Sequence, residues 1–327
     1  MLADPVARIH ATYEATVGHA TSNGTYDQSG RDFHLVLTNT IEGVSFTVEQ
    51  LVSGEQSYLL TPGRPWVHDV VVSGADRAPT MAEALESVEA RAAGTAVIEG
   101  ATVERYDLDG LKFADLTASM GLSDPGATVT GTTSALFASP DGRPVALDLA
   151  FTSSTSDGTP YVGDYRFTFA SDGAPASIKP PADPWVQNAD GHGYSILYPE
   201  AWQATPGPQT ADGDFKDTYQ GPDTQVVVYC VPKAKLGLKD WTASGIEYYS
   251  AAFGGKPDAT GEETVGGLPA RWTRWDDSSV DGDRAFIVNI ALVKGPMGCD
   301  IQWFRAPGPT GSQDDVFTTV WGTFHLN

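Results

Sequence analysis

Six histidines, two cysteines and 42 acidic side chains are the groups from which this chain could build chemistry. His10, His19, His34, His68, His192 and His325 are scattered. No pair has the i, i+4 spacing that puts two imidazoles on one helical face, and there is no HExxH run, so no metal ligand set is expected. Asp276-Asp277 and Asp281-Gly282-Asp283 lie close together but lack the Asp/Asn spacing and the terminal Glu of a calcium loop. They read as a solvated hairpin tip, and Asp107-Leu108-Asp109-Gly110 reads as a turn. A GxSxG elbow, a Walker loop and a dinucleotide fingerprint are all missing. Carboxylate pairs of the glycoside-hydrolase kind depend on a separation in space that residue order does not reveal. The expectation is a protein with no catalytic residues and no cofactor.

Cys230 ends the β-branched run Gln225–Cys230, and Cys299 begins the run Cys299–Phe304. Two outcomes stand side by side. If the two runs are neighbouring strands, a disulfide would close a loop of about 70 residues, worth roughly 4 kcal/mol by the chain-entropy account, and would mark an oxidising compartment. Otherwise both are buried free thiols. Neither has a histidine near it in sequence, so a catalytic thiol is not expected.

The 327 residues carry 20 basic and 42 acidic side chains, a net charge of −22. Such a field repels phosphates, which argues against nucleic acid, and neither end has a basic run for a membrane surface. A hydrophobic fraction of 41% fits a globular chain, and no apolar stretch approaches the roughly 18 residues of a membrane span. Met1-Leu2 stands directly before Ala3-Asp4-Pro5, which reads as a helix start. This implies that a secretion or lipoprotein leader has been removed, so that membrane contact would run only through a lost N-terminal lipid anchor. A cytoplasmic chain beginning at its own Met is the alternative.

The elements divide around Lys179-Pro180-Pro181-Ala182-Asp183-Pro184-Trp185. Its prolines can neither continue a helix nor donate to a ladder, so it reads as an extended connector between domains at 1–180 and 186–327. In the first, Asp4-Pro5 caps a helix carrying Val6, Ile9, Tyr13 and Val17, which ends near Asn23-Gly24. A meander follows, with Phe33, Leu35 and Leu37, then Phe46 and Val48, then Tyr58 and Leu60. Pro79 to Ala93 reads as a helix with Met81, Leu85, Val88 and Ala92 on one face, stopped by Gly94. Leu111 to Met120 is a shorter helical candidate. Strands resume at Thr128–Ser139, Pro144–Thr152 (Val145, Leu147, Leu149, Phe151 alternating) and Tyr161–Ala170 (Tyr161, Tyr165, Phe167, Phe169).

The run Leu136-Phe137-Ala138-Ser139-Pro140-Asp141-Gly142-Arg143-Pro144-Val145-Ala146-Leu147 resembles the strand-turn-strand of the LolA/LprG-type lipoprotein fold. So does the closing Tyr165-Arg166-Phe167-Thr168-Phe169-Ala170-Ser171-Asp172-Gly173-Ala174-Pro175, with Ile178 and Pro180 after it, and Gly54-Glu55-Gln56-Ser57-Tyr58 is similar to its hairpin. The resemblance implies an envelope lipoprotein whose half-barrel holds acyl chains or another apolar ligand.

In the second domain, Asp240 or Thr242 can cap a helix bearing Trp241, Ile246, Tyr249 and Phe253, and a last helix from Ser312 carries Val316, Val320 and Phe324. Tyr194-Ser195-Ile196-Leu197-Tyr198-Pro199-Glu200-Ala201-Trp202 and Val265-Gly266-Gly267-Leu268-Pro269-Ala270 resemble motifs of the PsbP-like/Mog-type domain. That resemblance implies a binding or assembly module.

The fold expected is therefore α+β, a curved antiparallel half-barrel with covering helices, then a smaller α/β/α antiparallel-sheet domain. One-sided alternation nominates a lipid or apolar-ligand site made by Phe33, Leu35, Leu37, Phe46, Val48, Tyr58, Leu60, Leu85, Val88, Leu147, Leu149 and Phe167. The alternative is an envelope protein-protein scaffold without a cavity, presenting an exposed apolar or aromatic patch to its partner.

Overall fold

The computed structural model describes residues 8–69, 80–86, 88–109, 111, 128–154, 160–170, 178–188, 192–280, 283–307 and 312–327. The expected α+β class is corrected: the protein is mostly β, with 62% strand and 11% helix, and among the described residues there are three helices and no closed barrel. The chain divides into two compact units, Met1–Ala182 and Asp183–Asn327, within the proline-rich stretch.

The helix expected from Asp4 is instead strand β1, Arg8–Val17. Its burial alternates strictly, with Ala11, Tyr13 and Ala15 inside and Thr12, Glu14 and Thr16 outside. The inward alanines hide this period from a count of large apolar residues, so the i, i+4 spacing of Ile9, Tyr13 and Val17 mimics a helix. β2, Ala20–Ser29, runs straight through Asn23-Gly24. A Cβ on Gly24 would stand 1.7 Å from the Val36 carbonyl oxygen; only glycine lets β3 (Asp32–Ile41) come this near.

β4 (Val44–Ser53), β5 (Gln56–Leu60) and β6 (Val67–Asp69) complete the first meander. Thr80 then caps the short α1, Met81–Glu86, in a reciprocal box: its backbone N–H donates to Glu83 Oε2 at 2.8 Å, and its hydroxyl accepts from the Glu83 N–H at 3.3 Å. The expected helix to Ala93 ends there. Glu89–Ile98 is strand β7, paired with β8 (Ala101–Asp109), so Asp107 and Asp109 are strand residues and not a turn. Pairing with β8 overrides the helix propensity of Ala90, Ala92 and Ala93, and Gly94 (φ +105) marks a bulge between Ala92 and Gly94 instead of a helix stop. The candidate helix Leu111 to Met120 lies outside the described residues after Leu111.

β9 (Thr128–Ala138), β10 (Pro144–Ser154) and β11 (Pro160–Phe169) finish the unit. The strand order is β6-β5-β4-β3-β2-β1-β11-β10-β9-β8-β7, antiparallel throughout, with β1 against β11 joining the two meanders. One face carries a continuous core of Tyr13, Tyr26, Phe33, Leu35, Leu147 and Phe167, and Met81, Ala84 and Leu85 of α1 cover part of it. The Met81 N–H donates to the Tyr26 hydroxyl at 3.3 Å, tying α1 to the sheet.

In the second unit β12 (Trp185–Gln187) pairs with β14 (Leu197–Pro199), and β13 (Tyr194–Ser195) with β22 (His325–Leu326). The main sheet runs β15 (Gln203–Thr205), β16 (Phe215–Gly221), β17 (Thr224–Val231), β21 (Met297–Arg305), β20 (Asp283–Lys294), β19 (Leu268–Val280), β18 (Ala259–Val265). Phe253, just past α2 (Leu238–Ala252), meets Phe304, whereas Phe317 of α3 (Ser312–Gly322) stacks on Trp303 at 4.4 Å. Adjacent residues of one strand point to opposite faces, so the two helices cover opposite sides.

Cys230 and Cys299 stand directly opposite in the β17–β21 register and form a disulfide. Beside them the Asp300 carboxylate is 3% exposed and accepts from Asn289 Nδ2 and from the Tyr249 hydroxyl, each at 3.1 Å. Burial raises its pKa to about 6, and those hydrogen bonds only partly offset the effect.

Two stability measurements check this core. The bridge closes a sequence separation of 69 residues, so Cys230→Ala/Cys299→Ala should lose roughly 4 kcal/mol in denaturant titrations. For Asp300 the folded pKa lies above the unfolded one, so its contribution is fully present below about pH 4 and is lost as pH rises to about 6. Asp300→Asn should therefore gain on the order of 2 kcal/mol over wild type at pH 7.5, with the difference closing towards pH 4 in thermal melts.

Candidate functional site

The side of the first sheet turned away from its core is polar, and cross-strand register decides what meets there. One row runs Asn23, Glu14, Arg166, Asp148, Ala135, Asp107 across β2, β1, β11, β10, β9 and β8. The next runs Thr21, Thr16, Asp164, Ala150, Thr133. On the other flank Arg105 faces Phe137, which faces Ala146. These rows line an open cavity of about 870 Å³. Its apolar floor is a small cluster in which Val103 and Ala146 pack with Ala135 and Phe137.

Charge in this cavity is unbalanced. Arg166 Nε lies 3.4 Å from Asp148 Oδ1, and Arg105 Nη2 lies 2.9 Å from Asp107 Oδ1. Among the described residues Glu14 and Asp164 have no cationic partner. Burial pushes the Asp148 carboxyl above its usual range; Arg166 and Arg105 pull it back, and neighbouring Asp164 pushes the same way as burial. The arrangement can hold a cationic group against an apolar floor.

The residues expected to line a ligand site lie mostly on the core face of the sheet. Phe33, Leu35, Leu37, Leu85, Leu147, Leu149 and Phe167 come together, but as members of the packed core at 0–7% exposure. Leu149 alone among the nominated residues also borders the open cavity. Phe46 and Val48 are half-buried on the core side, where Val48 faces Leu37. Tyr58 and Leu60 lie on the opposite face: Tyr58 pairs with Leu51, which pairs with His34, and Leu60 pairs with Glu49, which pairs with Val36. The tight turn after Ser53 sets that register. Tyr58 is buried and stacks on His68, and Val88 is half-buried just beyond α1.

Pairs that residue order did not reveal are those made by register. His10 Nδ1 meets Asp27 at 2.5 Å, and His34 Nε2 meets Glu49 at 3.0 Å. In the second unit Asp217, 1% exposed, accepts from the Tyr194 hydroxyl at 2.7 Å and from the Gly207 N–H at 2.8 Å, with His192 Nδ1 at 2.9 Å. Tyr194 also meets the Tyr219 hydroxyl at 2.6 Å, and burial raises its pKa. A cavity of about 320 Å³ adjoins Asp217 and Tyr219, and the Asp217 carboxylate already has three partners. Among the described residues no group of three or more His, Cys, Asp or Glu is placed to hold a metal ion.

The sequence matches no family model and no curated protein. Among solved structures, the chain is similar to cyanobacterial PsbP (CyanoP) from Synechocystis sp. PCC 6803 at 12% identity and TM-score 0.35, over 48% of this chain and 100% of that one. It is also similar to MucB in complex with MucA(peri), at 10% identity and TM-score 0.19, over 99% of this chain and 95% of that one. A second MucA/MucB structure, from Pseudomonas aeruginosa, gives 12% identity and TM-score 0.20. At such scores the fold rests on the strand register described above.

The imbalance around Asp148 has a direct readout. In carbon-detected NMR titrations its carboxyl should titrate above the ordinary Asp range, and Arg166→Gln should move it higher still, because a group that lowers it is gone.

Proposed function

We propose that this chain is a non-enzymatic, extracytoplasmic binding protein whose first unit holds a cationic, partly apolar ligand on the polar face of its sheet. The observation that carries this is the open cavity of about 870 Å³, lined by Glu14 and Asp164, neither of which makes an ion pair with a described residue, and, on β9, by Ala135 and Phe137. A net charge of −22 adds a long-range field that draws cations towards it. The Cys230–Cys299 disulfide supports an oxidising compartment, and no described helix is long and apolar enough to cross a membrane. A LolA/LprG-like first half, a PsbP-like second half and an N-terminal lipid anchor belong to the same proposal, supported by the turn motifs around Asp141-Gly142 and Tyr198-Pro199. The polar side is preferred to the core side because the nominated core residues Phe33, Leu35, Leu147 and Phe167 are buried against one another.

Calorimetric titration with dodecylamine, dodecanol and dodecyl sulfate, each below its micelle-forming concentration, tests this. The amine should bind best and weaken as salt rises, and Glu14→Gln/Asp164→Asn should weaken it about tenfold. Equal binding of all three compounds, or of none, would sink the proposal.

A further inference from the structure

The β7–β8 hairpin ends the first sheet, and β7 is its outermost strand. Among the described residues no strand pairs with its far side, so backbone N–H and C=O groups along Glu89–Ile98 face outward. This edge is long and little protected. From Glu89 to Thr95 every residue is exposed, and Val97 is 71% exposed. Natural edges are blunted by lysine, proline or inward charge; here the strand is mostly Ala, Gly, Thr and Val, with Arg91 its one cation and a single bulge at Gly94.

The edge is continuous with the cavity. Arg91 faces Asp107 and Gly94 faces Arg105, so the cavity rows run out to β7. Beyond the bulge Ala96 faces Val103 and packs, with Ile98, against the apolar floor. Small residues at Gly94 and Ala96 leave space above the sheet for larger side chains on an added strand. Charge selects the strand further. Arg91 pairs with Asp109 at 3.6 Å and Arg105 with Asp107 at 2.9 Å. That leaves Glu89, Glu99 and Glu104 without a cationic partner among the described residues.

We propose that the β7 edge is a docking site for an extended basic segment of a partner protein, added as one more antiparallel strand. Backbone hydrogen bonds supply affinity, and alternate side chains read the small residues and the carboxylates. This rests on the reading that the polar face binds cations, and it names the occupant as a peptide strand.

The test uses the whole chain and two synthetic peptides of equal charge: one alternating Lys and Val, and one with proline replacing every second Val, which cannot join a ladder. Fluorescence anisotropy should show the alternating peptide binding at least tenfold more tightly, and hydrogen exchange should show β7 amides protected in its presence. Thr95→Pro and Ala96→Pro separate the two sides of the strand. Neighbouring residues aim their N–H groups in opposite directions, so one substitution strikes the open edge and the other the β8 ladder. The open-edge variant should keep the wild-type melting profile yet bind the alternating peptide about tenfold less tightly. Equal binding of the two peptides would overturn strand addition while leaving a cation site intact. Binding of dodecylamine but of neither peptide would do the same, whereas no binding of any cation would overturn both readings. Protection of β7 without peptide, together with a dimeric mass in solution, would show a second copy on the edge and overturn the proposal.

Discussion

The pairing of β1 with β11 is the constraint on which the first unit depends. Each meander could form from local hairpins, but only Ala11 against Phe169, Glu14 against Arg166 and their neighbours turn two ribbons into one surface. The contact is distant in sequence, so its ordering entropy is repaid only when both halves are in place. The core side gains Tyr13 packed between Tyr165 and Phe167. The polar side gains the row from Asn23 to Asp107. Loss of that one pairing would remove the core and the cavity together.

A sheet with one apolar face and one charged face divides its work. Tyr13, Leu147 and Phe167 pack at near-zero exposure on the core side, and that packing stabilises a long sheet covered in part by one short described helix. The other face keeps carboxylates at a density that costs something: Asp148 is held above its normal range because burial and Asp164 oppose the two guanidiniums. Such local conflict belongs to a surface used for binding better than to one used only for solubility.

The second unit is built on the opposite plan. Helices cover both faces of its sheet, the disulfide clamps the central β17–β21 pair, and Asp300 and Asp217 are each enclosed by hydrogen-bond donors. Asp300 and Asp217 are bonded inward, whereas Glu14 and Asp164 of the first unit are exposed.

Residue order alone determined much here: the proline-rich connector, the alternation of Phe33 to Leu37 and of Leu147 to Phe151, the helix from Ser312, the net acidity, and the existence of α2, although its cap is Gly237 and the expected caps Asp240 and Thr242 lie inside it. These are local or summed properties, legible in periodicity and composition. Tertiary structure decided the rest. Ala11 and Ala15 look neutral until β2 and β11 flank them, Ala90 to Ala93 favour a helix until β8 offers a ladder, and Tyr58 changes face through the register of a hairpin. The cavity carboxylates Glu14, Asp148 and Asp164 come from three strands, and nothing in their order announces a site. Side chains two apart on one strand share a face by covalent geometry, but which strands lie side by side is settled only by pairing the whole chain.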